Sequence, residues 1–70
     1  DITGTLNPNL TGRANCYLYA ALHRIPRERK RDTIPRIIEF SELGAFFDVP
    51  VKCYSSGMTS RLAFSCQSGG

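Results

Sequence analysis

The stretch "VKCYSSGMTSRLAF", residues 51–64, joins a polar turn to the beginning of an apolar periodicity. Its Ser-Ser-Gly segment is typical of a loop. Apolar side chains then follow at i, i+4 and i+8, namely Met58, Leu62 and Cys66. Because residues four apart lie on one face of an α-helix, this spacing predicts a helix that begins near Ser56 and ends near Cys66. The stretch is therefore a loop that leads into a helix.

Two further helices are predicted upstream of this stretch. Thr11 can cap a helix that contains "RANCYLYAALHRI", and Pro26 would end it. In the next helix, Pro35 predicts a kink or a break with a new first turn, and Gly44 is a plausible stop. The three predicted helices span residues 12–25, 28–43 and 56–66. We find no convincing pair of strands, so the predicted fold class is all-α, a small bundle of about three helices.

The length of the chain limits its organisation to one domain. Seventy residues bury only about 60% of their unfolded surface, so the core is marginal. Turn-forming residues concentrate near the N-terminus, and "QSGG" at the other end reads as a tail. We divide the chain into a loop over 1–10, a helical domain over 11–66 and a tail over 67–70.

Composition excludes several classes of protein. An apolar fraction of 41% is too high for a disordered chain, and no apolar run approaches the roughly 18–20 residues of a membrane span. The three cysteines Cys16, Cys53 and Cys66 form no CxxC pair, so they indicate neither a disulfide framework nor a zinc site. They fit small core side chains in a reducing cytoplasm. His23, the one histidine, has no helical neighbour suited to a metal or catalytic role.

A basic run follows the first predicted helix. Between residues 24 and 36 only Glu28 and Asp32 oppose six cations, which are Arg24, Arg27, Arg29, Lys30, Arg31 and Arg36. The run could bind nucleic acid or an anionic surface. The alternative is a solvated helix face stabilised by ion pairs at i, i+4. No aromatic residue is interleaved in the run, which disfavours single-stranded nucleic acid as its partner.

The Ser-Ser-Gly helix start has its own chemistry. Unbonded N–H groups converge at a helix N-terminus, where the helix dipole adds partial positive charge. Gly57 removes the side chain that would block an approaching group, and Ser55 offers a hydroxyl donor. Together they could form a small anion site suited to a phosphate. On these few residues alone, an ordinary serine N-cap with a permissive glycine is the favoured alternative.

A longer pattern changes that preference. The segments "LTGRANCYL" and "IPRIIEFSELGAFFDVPVKCYSSGMTSRLAF", with their spacing, resemble ATP-binding cassette (ABC) ATPases, in particular the subunits that energise export of O-antigen and other polysaccharides. The resemblance covers about residues 7–64. In that family this stretch forms the helical subdomain between the Q-loop and Walker B, which implies that residues 1–10 lie near the Q-loop region.

The resemblance assigns roles to the helix start. In this chain "YSSGM" stands where most ABC proteins have their LSGGQ signature, over Tyr54, Ser55, Ser56, Gly57 and Met58. Arg61 falls on the arginine that commonly follows the signature. In the family, two ATPase subunits sandwich ATP head-to-tail. The resemblance therefore implies that Ser55 and Gly57, with the Ser56 N–H, contact the γ-phosphate of ATP held by the partner subunit.

The same resemblance implies cofactors, partners and location. The complete protein would use ATP and Mg²⁺ and would assemble with a second ABC ATPase subunit and transmembrane permease subunits. It would lie in the cytoplasm at the inner face of the cell membrane. The aromatic pairs Phe46–Phe47 and Tyr17/Tyr19 could be core or partner-facing, so self-association of the chain is a further expectation.

The departures from the family pattern concern catalysis. No GxxxxGK[ST] motif and no apolar strand ending in Asp-Glu occur, and Ala14 stands where the family usually has glutamate. We therefore expect a piece of an ABC ATPase with no catalytic residue or metal site of its own, which binds no nucleotide tightly and is inactive alone. Two alternatives stay open, a small basic helical module that binds nucleic acid and a stand-alone interaction or regulatory fragment.

Overall fold

The computed structural model of the chain describes residues 6–69 and contains three α-helices. They are α1 (Gly12–Leu22), α2 (Arg27–Ser41) and α3 (Ser56–Gly69). Two 3-10 helices, Gly44–Asp48 and Val51–Cys53, connect α2 to α3. Within residues 6–69 the β pairing is limited to an isolated antiparallel bridge between Thr11 and Pro50. The prediction of a small all-α bundle is confirmed.

Helix α1 begins and ends through local hydrogen bonds. The Thr11 hydroxyl accepts a hydrogen bond from the Ala14 N–H at 3.0 Å, which confirms the predicted N-cap. The helix ends at Leu22, three residues before the predicted boundary. Arg24 then adopts a left-handed conformation with φ of 56°, and this residue turns the chain toward α2.

Helix α2 differs from the prediction in its middle and at its end. It continues through Pro35, so of the two predicted alternatives the break is wrong, and the kink stays a prediction. Pro35 and Arg31 are exposed, so the Arg31 carbonyl, which loses its helical N–H partner to the proline, can bind water instead. The helix ends at Ser41 rather than at Gly44, because Glu42 takes the left-handed conformation with φ of 58°. The Ser41 hydroxyl donates to the Ile38 carbonyl at 2.7 Å and accepts from the Leu43 N–H at 3.2 Å, which closes the helix end.

The core lies where all three helices meet the two 3-10 helices. Its buried apolar side chains are Cys16, Ile34, Ile37, Leu43, Phe47, Val51, Leu62 and Cys66. Helices α2 and α3 make the most extensive contact between elements. Phe47 is fully buried whereas its neighbour Phe46 is half-exposed, so only one member of that aromatic pair belongs to the core. The segment between α2 and α3 thus contributes three of the buried core side chains, Leu43, Phe47 and Val51, which is more than any single helix contributes.

Helix α3 extends beyond its predicted end. It runs to Gly69, so most of the segment predicted as a tail is helical. The division at 10/11 and 66/67 into loop, domain and tail stays a prediction, and residues 1–5 lie outside the described part of the chain. No helix among the described residues is both long and apolar enough to span a bilayer.

Candidate functional site

The start of α3 is held by Ser55. Its hydroxyl oxygen accepts a hydrogen bond from the Met58 N–H at 3.1 Å, and its carbonyl accepts from both the N–H and the hydroxyl of Thr59 at 3.0 Å. Ser55 is therefore an N-cap, as the simpler interpretation of the sequence predicted. A serine hydroxyl both accepts and donates. Within residues 6–69 its own proton has no acceptor, so Ser55 can still donate a hydrogen bond outward.

Two backbone N–H groups accompany that hydroxyl. Ser56 and Gly57 occupy the first two helical positions, where an α-helix supplies no acceptor for the N–H. The described part of the chain supplies none to them either. Ser55, Ser56 and Gly57 are all exposed. The helix start therefore presents one hydroxyl and two N–H donors to whatever approaches it, and the dipole of α3 adds partial positive charge.

Gly57 is not required by the fold. It lacks the positive φ that favours glycine, and a β-carbon built there would meet only the Ser55 hydroxyl oxygen at 3.9 Å, an ordinary van der Waals contact. Glycine within a helix costs roughly 0.5–1 kcal/mol relative to alanine. The chain thus accepts a small loss of stability at an exposed position, and the structural result is open space beside the free N–H groups.

The two outer residues of the predicted five-residue site point inward. Tyr54 and Met58 are partly buried and pack against the core. The Tyr54 hydroxyl donates a hydrogen bond to the Phe46 carbonyl. Burial raises the pKa of Tyr54, so this hydroxyl keeps its proton and its hydrogen bond. Tyr54 and Met58 therefore fix the helix start in place, while the three residues between them face outward.

Arg61 lies one turn further along α3 and connects it to α2. Its guanidinium donates to the Ser41 carbonyl through Nε and forms an ion pair with the Glu42 carboxylate. Both acceptors belong to the residues that end α2. Arg61 thus ties the first turns of α3 to the left-handed end of α2, which positions the helix start. Its predicted supporting role toward a phosphate stays a prediction.

Gly12 is a positioning residue that the sequence did not reveal. A β-carbon at Gly12 would collide with the Tyr54 hydroxyl oxygen, and it would also lie 3.4 Å from the Phe47 ring. The absence of a side chain at the start of α1 is what lets Tyr54 pack there. No local pattern could have shown this, because the two residues are far apart in the chain and meet only after folding.

Asn15 is the second positioning residue that was missed. It is 1% exposed, and its side-chain oxygen accepts from the Asn7 N–H at 2.7 Å. Its amide nitrogen donates to three carbonyls at 3.0 to 3.3 Å, those of Asn7, Leu10 and Thr11. The signal in the sequence was a polar residue on the apolar side of α1, in "RANCYL". Asn15 thereby organises the loop that precedes α1.

That loop reaches the candidate site through the backbone. The N–H groups of Val51 and Lys52 donate to the carbonyls of Leu10 and Pro8, each at 2.9 Å. The segment that leads into Tyr54 and Ser55 is therefore held by the loop that Asn15 organises. The helix start is preorganised from two sides, by this loop and by the tie from Arg61 to α2.

The charged side chains around the helix start are few. From residue 51 to residue 69 the chain has no acidic side chain, and its charged residues there are Lys52 and Arg61. Among the described residues, no group of three histidine, cysteine or acidic side chains could hold a metal ion. From another element, the Glu42 carboxylate is paired with Arg61. Unbonded N–H donors at a helix N-terminus are chemistry that binds a phosphate.

The sequence of the chain is similar to those of several known ATP-binding proteins. The chain is 49% identical over 65 residues, 93% of its length, to the O-antigen export system ATP-binding protein of Klebsiella pneumoniae, of which the match covers 26%. It is 42% identical over 91% of its length to the teichoic acids export ATP-binding protein of Bacillus cereus, of which the match covers 12%. The polysialic acid transport ATP-binding protein of Escherichia coli is 46% identical over 90% of the chain, with 28% of that protein covered.

No family model matches the chain. The relatives are much longer than this chain, which spans less than a third of each of the three. All three are ATP-binding proteins of export or transport systems for polysaccharides or related polymers. The resemblance that the signature stretch indicated is confirmed: over about nine-tenths of its length, this chain is homologous to a segment of the ATP-binding subunits of ABC-type polysaccharide exporters.

Proposed function

We propose that the chain is the helical signature subdomain of an ABC-type ATPase that energises polysaccharide export. Its Ser55, Ser56 and Gly57 contact the γ-phosphate of ATP held by a second ATPase subunit. The observation that carries the proposal is Gly57, an exposed glycine in the first turn of α3 that neither backbone conformation nor packing requires. An approaching phosphate explains why a side chain is absent there.

The donors at the helix start match the acceptors of a phosphate. The N–H groups of Ser56 and Gly57 supply charge-assisted hydrogen bonds to phosphate oxygens, and the Ser55 hydroxyl can donate a third while its oxygen still caps Met58. The helix already holds these groups in place, so little reorganisation accompanies binding. The hydrogen bonds from these donors to the γ-phosphate would form as the two subunits close on ATP.

The phosphate is bound by two different subunits in this proposal. The chain contains no GxxxxGK[ST] sequence, so the loop that grips ATP belongs to another part of the complete protein. In the complete protein ATP and Mg²⁺ supply the phosphoryl-transfer chemistry, while the residues of this chain orient and neutralise the phosphate from the opposite side. Opening and closing of this contact would then be passed to transmembrane permease subunits at the cytoplasmic face of the membrane.

The test uses the complete ATPase that contains this segment. We expect Ser55→Arg or Gly57→Asp to lower ATP turnover by about 100-fold or more, because each blocks closure or repels the phosphate. The ATP affinity of the isolated subunit should stay nearly unchanged, since that subunit grips its own nucleotide elsewhere. Ser56→Gly is the matched control; it keeps the N–H and should be almost silent. A loss of ATP affinity as steep as the loss of turnover would show that these residues act within one subunit and would end the proposal.

A further inference from the structure

The cations of this chain are distributed unevenly. Of the nine lysines and arginines, Arg13 and Arg61 form ion pairs. Within residues 6–69 the other seven have no carboxylate within 4.0 Å, and five of those seven lie between residues 24 and 31. The ion pairs expected of a solvated helix face are therefore not formed along this run. We call residues 23–31, which connect α1 to α2, the α1–α2 corner.

A cavity opens beside these cations. Its volume is about 310 Å³, and its lining includes Tyr19, His23, Arg24, Arg29 and Gln67. The rings of Tyr19 and His23 contact each other with centroids 4.1 Å apart and planes tilted by 54°, and both rings line the cavity. Two arginines, Arg24 from the turn after α1 and Arg29 from α2, thus line a hollow large enough for a phosphate group.

The backbone places Arg24 at this cavity. Arg24 has a φ of 56°, a conformation that residues other than glycine adopt rarely. The turn is fixed by hydrogen bonds from the Arg24 N–H to the Ala21 carbonyl at 3.1 Å and from the Ile25 N–H to the Ala20 carbonyl at 2.9 Å. Next to Arg24, α2 begins after Pro26 without a side-chain cap. The positive end of the α2 dipole therefore adds to the positive potential of the nearby arginines.

We propose that the α1–α2 corner binds the headgroups of acidic phospholipids, with a lipid phosphate in the cavity between Arg24 and Arg29. The assignment to a lipid surface rests on the proposed function, which brings the chain to the cytoplasmic face of a membrane. Guanidinium groups match phosphate oxygens with paired hydrogen bonds. The neighbouring cations Arg27, Lys30 and Arg31 add attraction to the negative surface of the leaflet.

The lack of free aromatic side chains argues against a single-stranded nucleic acid at this place. Single strands need exposed aromatic faces on which bases stack. No aromatic residue occurs between residues 24 and 39, and Tyr19 is partly buried with its ring in tilted contact with His23. A dense group of cations without stacking platforms fits a charged lipid surface better.

Sedimentation of the 70-residue chain with lipid vesicles tests the proposal. We expect binding to vesicles that mix phosphatidylcholine with phosphatidylglycerol, no binding to phosphatidylcholine alone, and loss of binding at high salt. The variant Arg24→Gln/Arg29→Gln should bind the acidic vesicles roughly tenfold or more weakly, at about fivefold per cation. The control Arg36→Gln/Lys52→Gln removes the same charge outside the corner and should change the affinity by less than about threefold. Circular dichroism verifies that both variants stay folded.

Several outcomes would overturn the proposal. Absence of binding to acidic vesicles would do so, as would equal losses in the two variants, which would mean that net charge alone is responsible. Binding of inorganic phosphate without binding of vesicles would indicate a soluble anion, and tighter binding of RNA or duplex DNA through the same arginines would indicate a nucleic acid. The assay contains no ATP, so its failure is distinguishable from failure of the trans γ-phosphate contact, which is read from turnover of the complete ATPase.

Discussion

The Tyr54 hydroxyl lies so close to the Gly12 Cα that a β-carbon at position 12 would collide with it. The same hydroxyl donates to the Phe46 carbonyl, so one side chain links the start of α1, the segment after α2 and the residue before Ser55. Glycine at position 12 is therefore a packing requirement of the candidate site, although it lies 42 residues before Tyr54 in the sequence.

We expect Gly12→Ala to lower the free energy of unfolding by about 1–3 kcal/mol, because Tyr54 must shift within a packed region. Urea denaturation followed by circular dichroism measures this change. Gly57→Ala is the matched control, since its β-carbon meets only the Ser55 oxygen at 3.9 Å. The control should be neutral or more stable by up to about 1 kcal/mol. Equal destabilisation by both substitutions would contradict the assignment of Gly12 to packing.

Asn15 leads to a second prediction. Asn15→Asp replaces a donor that serves three carbonyls with an acceptor, so it should lower the free energy of unfolding by about 2–4 kcal/mol at neutral pH. Burial should raise the pKa of the new carboxyl group, and its protonated form can donate again. The destabilisation should therefore shrink as pH falls. Asn9→Asp is the control, because Asn9 is exposed; it should stay within about 0.5 kcal/mol. Comparable effects at both positions would disprove the role of Asn15.

The ion pair between Arg13 and Asp48 gives a prediction about pH. The Arg13 Nε lies 2.9 Å from an Asp48 carboxylate oxygen, and this hydrogen bond lowers the pKa of Asp48. A carboxyl whose pKa is lower in the folded state stabilises the fold above its unfolded pKa, and that contribution is lost as pH falls through the folded value. Asp48→Asn should therefore be less stable than the parent chain at neutral pH and equal to it in strong acid.

Salt provides the control for that pair. Both side chains are about half-exposed or more, at 45% and 66%, so added salt should reduce the difference between Asp48→Asn and the parent chain. Thermal unfolding across pH, at low and high salt, measures both effects. A difference that persists unchanged in strong acid would mean that Asp48 stabilises the fold by something other than its charge.

Local signals made parts of this structure predictable. The Thr11 cap and the start of α3 were predicted correctly because each depends on residues within one helical turn. The end of α2 was placed two residues too late, since the left-handed Glu42 is stabilised by Arg61, nearly 20 residues away in the sequence. The preference for glycine at helix ends, on which the predicted stop at Gly44 was based, contains no information about such a distant contact.

The candidate site, like the fold, could be predicted from the sequence only in part. The resemblance pointed to five consecutive residues, but only folding reveals that Tyr54 and Met58 anchor the helix start while Ser55 to Gly57 face outward. The supports of the site, Gly12 and Asn15, act through contacts that no sequence spacing encodes.

Arg61 should act as a positioning residue. Its guanidinium donates to a backbone carbonyl and to a carboxylate from a rigid planar fork, and the single ammonium of a lysine cannot reproduce that geometry. We expect Arg61→Lys to lower the free energy of unfolding by about 1 kcal/mol and to speed hydrogen exchange at the Leu43 N–H, which lies in the helix end that Arg61 ties. Arg36→Lys is the control, because Arg36 forms no ion pair within the described residues. Unchanged exchange at Leu43 in the Arg61 variant would refute this role.

Gly57 allows stability and activity to be separated. A residue that serves the fold loses both together, whereas a residue that serves an approaching ligand can gain stability and lose activity. Gly57→Ala adds a better helix former at an uncrowded position, so the fold should be as stable as before or slightly more so.

In the complete ATPase the same methyl group would stand where the partner's phosphate approaches the Ser56 and Gly57 N–H groups. Turnover should therefore fall by at least about tenfold, through partial loss of a preorganised donor. Unfolding curves and steady-state ATPase rates of the Gly57→Ala variant measure its stability and its turnover separately. Ser60→Ala, an exposed position further along α3, is the control. Full turnover in a stable Gly57→Ala protein would leave the glycine without a function at this helix start.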